Sequence, residues 1–194
     1  MPKIENKFTF HPTAVVAQDV DLVGDLTFGP NCMIHPSCTI VGFGPIVFGS
    51  GCIVEEQSVI CNRLKTPMEI GTDNLFSVGC RVEASAIGSS NVFEAKCKVS
   101  SDVAIGSHCV IGAGCTLVSE PTAATFESEV IEPTVLPDWT VIFGERSERR
   151  TWSGEGAGQA RALHAKHLVY LSETLPKFHR TRTSVVAQMP KASK

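Results

Sequence analysis

Large apolar residues recur every six positions along most of this chain, at Phe10, Val16, Leu22, Phe28, Ile34 and Ile40. The beat returns after a short slip at Phe48, Val54 and Ile60, then at Ile70, Phe76 and Val82. A one-residue deletion follows, and Ile87, Phe93, Val99, Ile105, Ile111 and Leu117 continue it, with a last pair read at Val135 and Val141. A hexapeptide period is the mark of a parallel β-helix, whose short strands wind around one prism and bury a continuous core between coils. A heptad would predict a coiled coil and a strict period of two an ordinary sheet. The chain therefore reads as an all-β solenoid over residues 8–145.

Three hexads close one coil of a triangular prism, so the hexads sort into three columns. The first opens at 10, 28, 48, 70, 87, 105 and 135, the second at 16, 34, 54, 76, 93, 111 and 141, and the third at 22, 40, 60, 82, 99 and 117. Every irregularity then falls at one corner, between the third column and the next coil. The extra residues at 42–47 and 63–69, the deletion after Val82 and the insert from Val118 to Thr134 all lie there. That shared phase predicts three-sided coils with one loop-bearing edge. About 20 hexads make six to seven coils, a prism roughly 30 Å tall. Its strand edges at both ends must be covered by something.

Counting from the large apolar residue as i, seven cysteines fall at i+4: Cys32, Cys38, Cys52, Cys80, Cys97, Cys109 and Cys115. Ala14, Val20, Leu26 and Val103 occupy the same position, so it is small and inward-facing, where a free cysteine packs as a small hydrophobe. Metal ligands converge from several directions with short loop spacing, and these columns do not. Gly29, Gly49, Gly71, Gly88 and Gly106 each follow the first residue of a first-column hexad, which predicts a corner with unusual φ/ψ. Asn74 and Asn91 fall at i+4 on successive coils, where either a stacked amide pair or simple turn preference accounts for them.

The beat ends at Gly144. Residues 146–158 read as a linker carrying Arg146, Arg149, Arg150 and a glycine-rich run. Residues 159–176 read as a helix packed antiparallel on the prism, or used for a partner, with Ala160, Leu163, His167, Leu168, Leu171 and Leu175 on one stripe and Pro176 as its stop. His164 and His167, three apart, have no third ligand beside them and read as one solvated and one packed histidine.

Charge adds one asymmetry. The chain carries −3 overall, but residues 177–194 hold five Lys or Arg and no acid, leaving 12 bases against 20 acids, or −8, over residues 1–176. The tail is read as a frayed terminus, with a basic docking arm as the alternative. The low aromatic share and acidic balance give no nucleic-acid footprint. Neither a signal-peptide h-region nor an apolar run of the ~18 residues that span a bilayer occurs, so the expected location is the cytoplasm, with no membrane insertion.

Candidate chemistry is sparse. Acyltransferases with hexapeptide prisms resemble one another in a general-base histidine near the subunit interface. Here His11 and His35 open His-Pro pairs, and His108 lies at a different hexad offset. A γ-type carbonic anhydrase needs three histidines on zinc, including two five residues apart, yet His108 is followed five residues on by Ala113. The enzyme alternative is thus a divergent acyltransferase or carbonic-anhydrase-like homotrimer, and no cofactor or metal is expected. Glu55-Glu56-Gln57 is the one exposed acidic cluster of the coil region. Adjacent carboxylates on a strand point to opposite sides, so it suits recognition rather than acid–base catalysis.

The run Gly44-Pro-Ile-Val-Phe-Gly-Ser-Gly-Cys-Ile-Val-Glu-Glu-Gln57, with Pro67 to Cys80, Val135 to Gly144, Arg149-Arg150 and Leu175-Pro-Lys-Phe-His179, resembles the smaller hexapeptide-repeat subunit family of dynactin over roughly residues 8–180. The resemblance implies a left-handed prism and a non-catalytic scaffold in the pointed-end complex, within the dynein activator of the microtubule cytoskeleton. It implies as partners the second β-helix subunit, the pointed-end actin-related protein and the larger zinc-binding subunit, with dynein contacted indirectly. Glu55, Glu56, Gln57, Arg149 and Arg150 are the candidate partner-binding residues. The family's Thr-Pro site in the tail has no counterpart, because Thr181, Thr183 and Ser184 are not followed by proline.

Overall fold

A computed structural model describes residues 5–118 and 133–182. The chain winds as β1 (Lys7–Phe10), β2 (Val15–Val16) and β3 (Asp21–Val23) in the first coil, then β4 (Asp25–Phe28), β5 (Met33–Ile34) and β6 (Thr39–Gly42) in the second. The third coil is β7 (Ile46–Phe48), β8 (Ile53–Val54) and β9 (Val59–Asn62), and the fourth β10 (Met68–Ile70), β11 (Leu75–Phe76) and β12 (Arg81–Val82). β13 (Ala86–Ile87), β14 (Val92–Phe93) and β15 (Lys98–Val99) make the fifth, and β16 (Val103–Ile105), β17 (Val110–Ile111) and β18 (Thr116–Leu117) the sixth. β19 (Thr134–Leu136) and β20 (Thr140–Phe143) begin a seventh, followed by β21 (Glu148–Thr151) and helix α1 (Ala157–Phe178).

Like strands of successive coils pair in parallel, giving sheets ordered β1-β4-β7-β10-β13-β16-β19, β2-β5-β8-β11-β14-β17-β20-β21 and β3-β6-β9-β12-β15-β18. These are the three columns read from the sequence. In-register pairing stacks equivalent side chains, Phe10 on Phe28 and Phe28 on Phe48 with ring centroids 5.3 and 5.1 Å apart, and Phe76 on Phe93 at 4.7 Å. The last coil is read one residue early in the sequence. Leu136 and Ile142, not Val135 and Val141, pair with Ile105 and Ile111; Leu136 is 1% exposed and Val135 64%. Two adjacent apolar residues make the phase ambiguous there, and the register with the preceding coil resolves it.

The corners explain the remaining columns. The i+3 residues, among them Asn31, Ser37, Gln57, Asp73, Ser90, Lys96, His108 and Trp139, have positive φ, and Gly51, Gly79 and Gly114 share that position. The first-column glycines do not, which corrects the expectation of unusual φ. A Cβ on Gly49 would lie 2.7 Å from the Gly71 carbonyl oxygen, and one on Gly88 2.5 Å from that of Gly106, so close stacking of the coils excludes a side chain. Into that space the i+4 residues donate. Cys32 and Cys52 Sγ reach the Gly49 and Gly71 carbonyls at 3.0 and 3.2 Å. Asn74 and Asn91 Nδ2 reach those of Gly88 and Gly106, both at 2.9 Å. The Asn74 and Asn91 side-chain oxygens accept from the Asn91 and Cys109 N–H groups at 2.9 and 2.7 Å, so the amides bond the next coil's backbone rather than each other. At the loop-bearing corner, buried Asn62 donates to the Pro45 and Thr66 carbonyls at 3.0 and 2.8 Å and closes the loop. Most of the Val118–Thr134 insert and of the basic tail lies outside the described residues.

The segment read as a linker contains β21, which turns back antiparallel on β20, with Ile142 opposite Arg149 and Val141 opposite Arg150. Helix α1 starts two residues before the expected boundary and continues two past Pro176. Pro176 lies in the last turn, and the helix ends two residues after it. Leu171 and Leu175 pack on Met33 and Ile53 of the second sheet. Beyond the helix the chain lies antiparallel on the free edge of β2, where the Gln18 N–H meets the Arg180 carbonyl and the Arg182 N–H the Val16 carbonyl, both at 2.7 Å. The second sheet is therefore covered at both ends by this chain itself, while β1, β19, β3 and β18 are the end strands of the other two sheets.

Candidate interaction surface

The acidic cluster is used mostly within the chain. Glu55 Oε2 accepts from the Val78 N–H at 3.1 Å, and Glu94 accepts likewise from Ala113 at 2.9 Å two coils on, so this carboxylate column caps corner amides. Glu56 Oε1 accepts from His35 Nδ1 at 2.7 Å. Burial, the largest single influence, would raise Glu56, but the hydrogen bond from His35, a backbone hydrogen bond and the charges of His35 and His179 together hold the carboxyl below its usual range. Gln57, at a positive-φ corner, is exposed. Arg149 and Arg150 are exposed on β21, and the Arg150 guanidinium lies over Phe143, 5.2 Å from the ring centre. β8 and β21 are five strands apart in the sheet order, roughly 24 Å at the usual strand spacing. The structure therefore does not bring the two clusters together.

The coil-region histidines, His11, His35 and His108, do not converge either. His11 Nδ1 pairs with Thr13 Oγ1 at 2.9 Å, His35 is buried against Glu56, and the His108 ring stacks on Trp139 at 4.1 Å. Among the described residues no three His, Cys, Asp or Glu side chains gather where a metal could be held. The cysteines pack within the core, and burial pushes the Cys38 thiol up to about 12, so it stays protonated at neutral pH. A charged cluster that the sequence reading passed over lies on the third sheet. Arg63 and Arg81 both pair with Glu83, whose carboxyl the Arg63 hydrogen bonds, against the effect of burial, hold below its usual range.

Also missed was a cleft of about 560 Å³ between the first half of α1 and the second sheet, lined by Leu75, Val92, Val110, Trp152, Leu163, Tyr170 and their neighbours. Its origin is a row of outward residues one before each second-column apolar position: Val15, Met33, Ile53, Leu75, Val92 and Val110. The helix buries Met33 and Ile53 but leaves Leu75, Val92 and Val110 half-exposed, and Leu163 on the helix is 69% exposed. The corresponding outward row of the third sheet includes Asp21, Arg81 and Lys98, and that of the first Thr9, Thr27 and Glu69, so the sequence does contain a signal for which face the helix takes. His164 Nε2 donates to the Gly51 carbonyl at 2.7 Å and pins the helix at the edge of this face.

Stacked coils, in-register core columns and, among the described residues, a single helix after the coils define a hexapeptide-repeat protein. Solved structures of the same shape are a hexapeptide transferase family protein from Anaplasma phagocytophilum (TM-score 0.62, 13% identity, 84% of this chain and 90% of that one) and a Bacillus cereus protein assigned as an acetyltransferase (0.58, 16%, 87% and 91%). The class is the left-handed parallel β-helix. No protein-family model matches the chain. Sequence likeness is nevertheless extensive: it is 33% identical to dynactin subunit 6 of Danio rerio over 185 residues, covering 89% of this chain and 86% of the relative. It is 34% identical to that of Xenopus tropicalis (87% and 81% covered) and 31% to that of Nematostella vectensis (88% and 90%). The chain belongs to the dynactin subunit 6 family.

Proposed function

We propose that this protein is a non-catalytic structural and interaction subunit of dynactin, acting in its pointed-end assembly and through it in dynein-driven transport along microtubules in the cytoplasm. The observation that carries the proposal is the likeness to dynactin subunit 6 over nearly the whole of both chains, from fish to sea anemone. The use of coil-region polar groups within the chain supports it. Glu55, Glu56, Glu94, Asn74 and Asn91 each hold backbone or histidine of a neighbouring coil. The proposed partners are the second β-helix subunit, as a heterodimer, with the pointed-end actin-related protein and the larger zinc-binding subunit. Gln57, Arg149 and Arg150 are the exposed members of the proposed contact set.

A tagged copy purified from native cytoplasm and analysed by mass spectrometry and sizing tests this. Co-purification of the actin-related filament and the second β-helix subunit in a megadalton particle is expected. A lone homotrimer that binds zinc or acyl-CoA would replace the proposal with the enzyme alternative.

A further inference from the structure

The cleft between α1 and the second sheet is a docking groove, and we propose that its occupant is an amphipathic helix of a partner protein, acidic on its polar side. The proposal goes beyond the dynactin reading and does not depend on it. The floor is Leu75, Val92 and Val110, three apolar side chains on adjacent coils. They span about 10 Å at strand spacing, close to the ~11 Å of two helical turns, so apolar residues at i, i+3 or i+4, and i+7 match them. Leu163 forms an exposed apolar wall on α1 and Trp152 lies at one end. A second helix lying beside α1 would cover these groups in the way one helix packs against another.

Charge selects the occupant. Arg161 and Lys166 line the groove against one acid, Asp73. That rim is cationic on a molecule carrying −8 over residues 1–176. Two copies joined groove to groove would bring together two rims that each hold Arg161 and Lys166 against the single Asp73, and this meeting of like charge disfavours self-contact. An acidic polar face on the incoming helix instead pairs with both, and charge complementarity of this kind sets specificity and on-rate.

The test is a display selection on the full chain. The library holds helical peptides of about 14 residues with a fixed i, i+3, i+4, i+7 apolar face and a randomised polar face. Enrichment of acidic sequences is expected. Their binding should change the fluorescence of Trp152, weaken as salt rises, and fall at least tenfold with Leu163→Glu and with the pair Arg161→Glu and Lys166→Glu. All three positions are exposed, and circular dichroism of the variants establishes that the fold is retained. No enrichment, enrichment of neutral or basic sequences, or binding undiminished by the variants overturns the proposal. So does binding to anionic vesicles, or self-association abolished by Leu163→Glu, because either gives the groove to a different occupant. The native pull-down can succeed while this selection fails, so the two conclusions are separable.

Discussion

At the residue scale the coil is held by groups that fit a space too small for anything else. Glycine stands after the first-column apolar residue because the next coil's carbonyl would meet its Cβ, and cysteine or asparagine at i+4 donates to that same carbonyl. Gly88→Ala puts a methyl 2.5 Å from the Gly106 oxygen and should cost about 2–3 kcal/mol. Gly158→Ala, in the first turn of α1 with open space around it, should gain about 0.5–1 kcal/mol. Denaturant unfolding of the two variants measures the opposite signs. Glu83 supplies a pH dependence. Its folded-state pKa is depressed by Arg63, with Arg81 adding to this against burial, so the unfolded chain binds more protons near the ordinary carboxylate range of about 4.3. The stability it gives is present above that range and is lost as pH falls through the folded value. Thermal unfolding followed from neutral pH downward should show a shallower acid limb for Glu83→Gln than for wild type.

At the element scale α1 is a strap rather than part of the prism. Its attachment is concentrated at Leu171 and Leu175, while Leu163 and Tyr170 face outward. Leu171→Ala and Leu175→Ala should each cost about 2 kcal/mol of attachment. Together they should abolish hydrogen-exchange protection in α1 and leave that of the coil strands intact. Loss of protection throughout the coil would show instead that helix and prism unfold as one unit. The stripe read from the sequence names both anchoring leucines. It also included Ala160 and Leu163, which are exposed because the helix packs its apolar groups on the sheet from Leu168 onward. Helical periodicity reports which residues share a side, and the position of the sheet decides how far along that side contact extends.

At the scale of the whole molecule the chain covers both ends of its second sheet, β21 on β20 and residues 180–182 on β2. Deleting residues 180–194 uncovers the β2 backbone and should produce concentration-dependent self-association in sedimentation velocity, where the full chain shows less. Of the proposed contact residues, the sequence located an acidic cluster and an arginine pair. It did not show that Glu55 and Glu56 are engaged by Val78 and His35, because those partners lie one coil away.

The sequence by itself determined the coil: its period, its three columns, its loop-bearing corner and its core. Each of these follows from a local rule repeated every six residues, so many hexads report the same answer and single exceptions are outvoted. Where the repetition stops, that averaging stops too, and the last coil was read one residue early. The tertiary structure alone decided that β21 turns back, that α1 crosses only part of the second sheet, and that residues 180–182 return to the first coil. The last two placements rest on contacts between segments more than a hundred residues apart, such as His164 with Gly51 and Arg182 with Val16. No local spacing encodes such pairs; they are selected by which apolar face and which strand edge remain to be covered once the prism has formed.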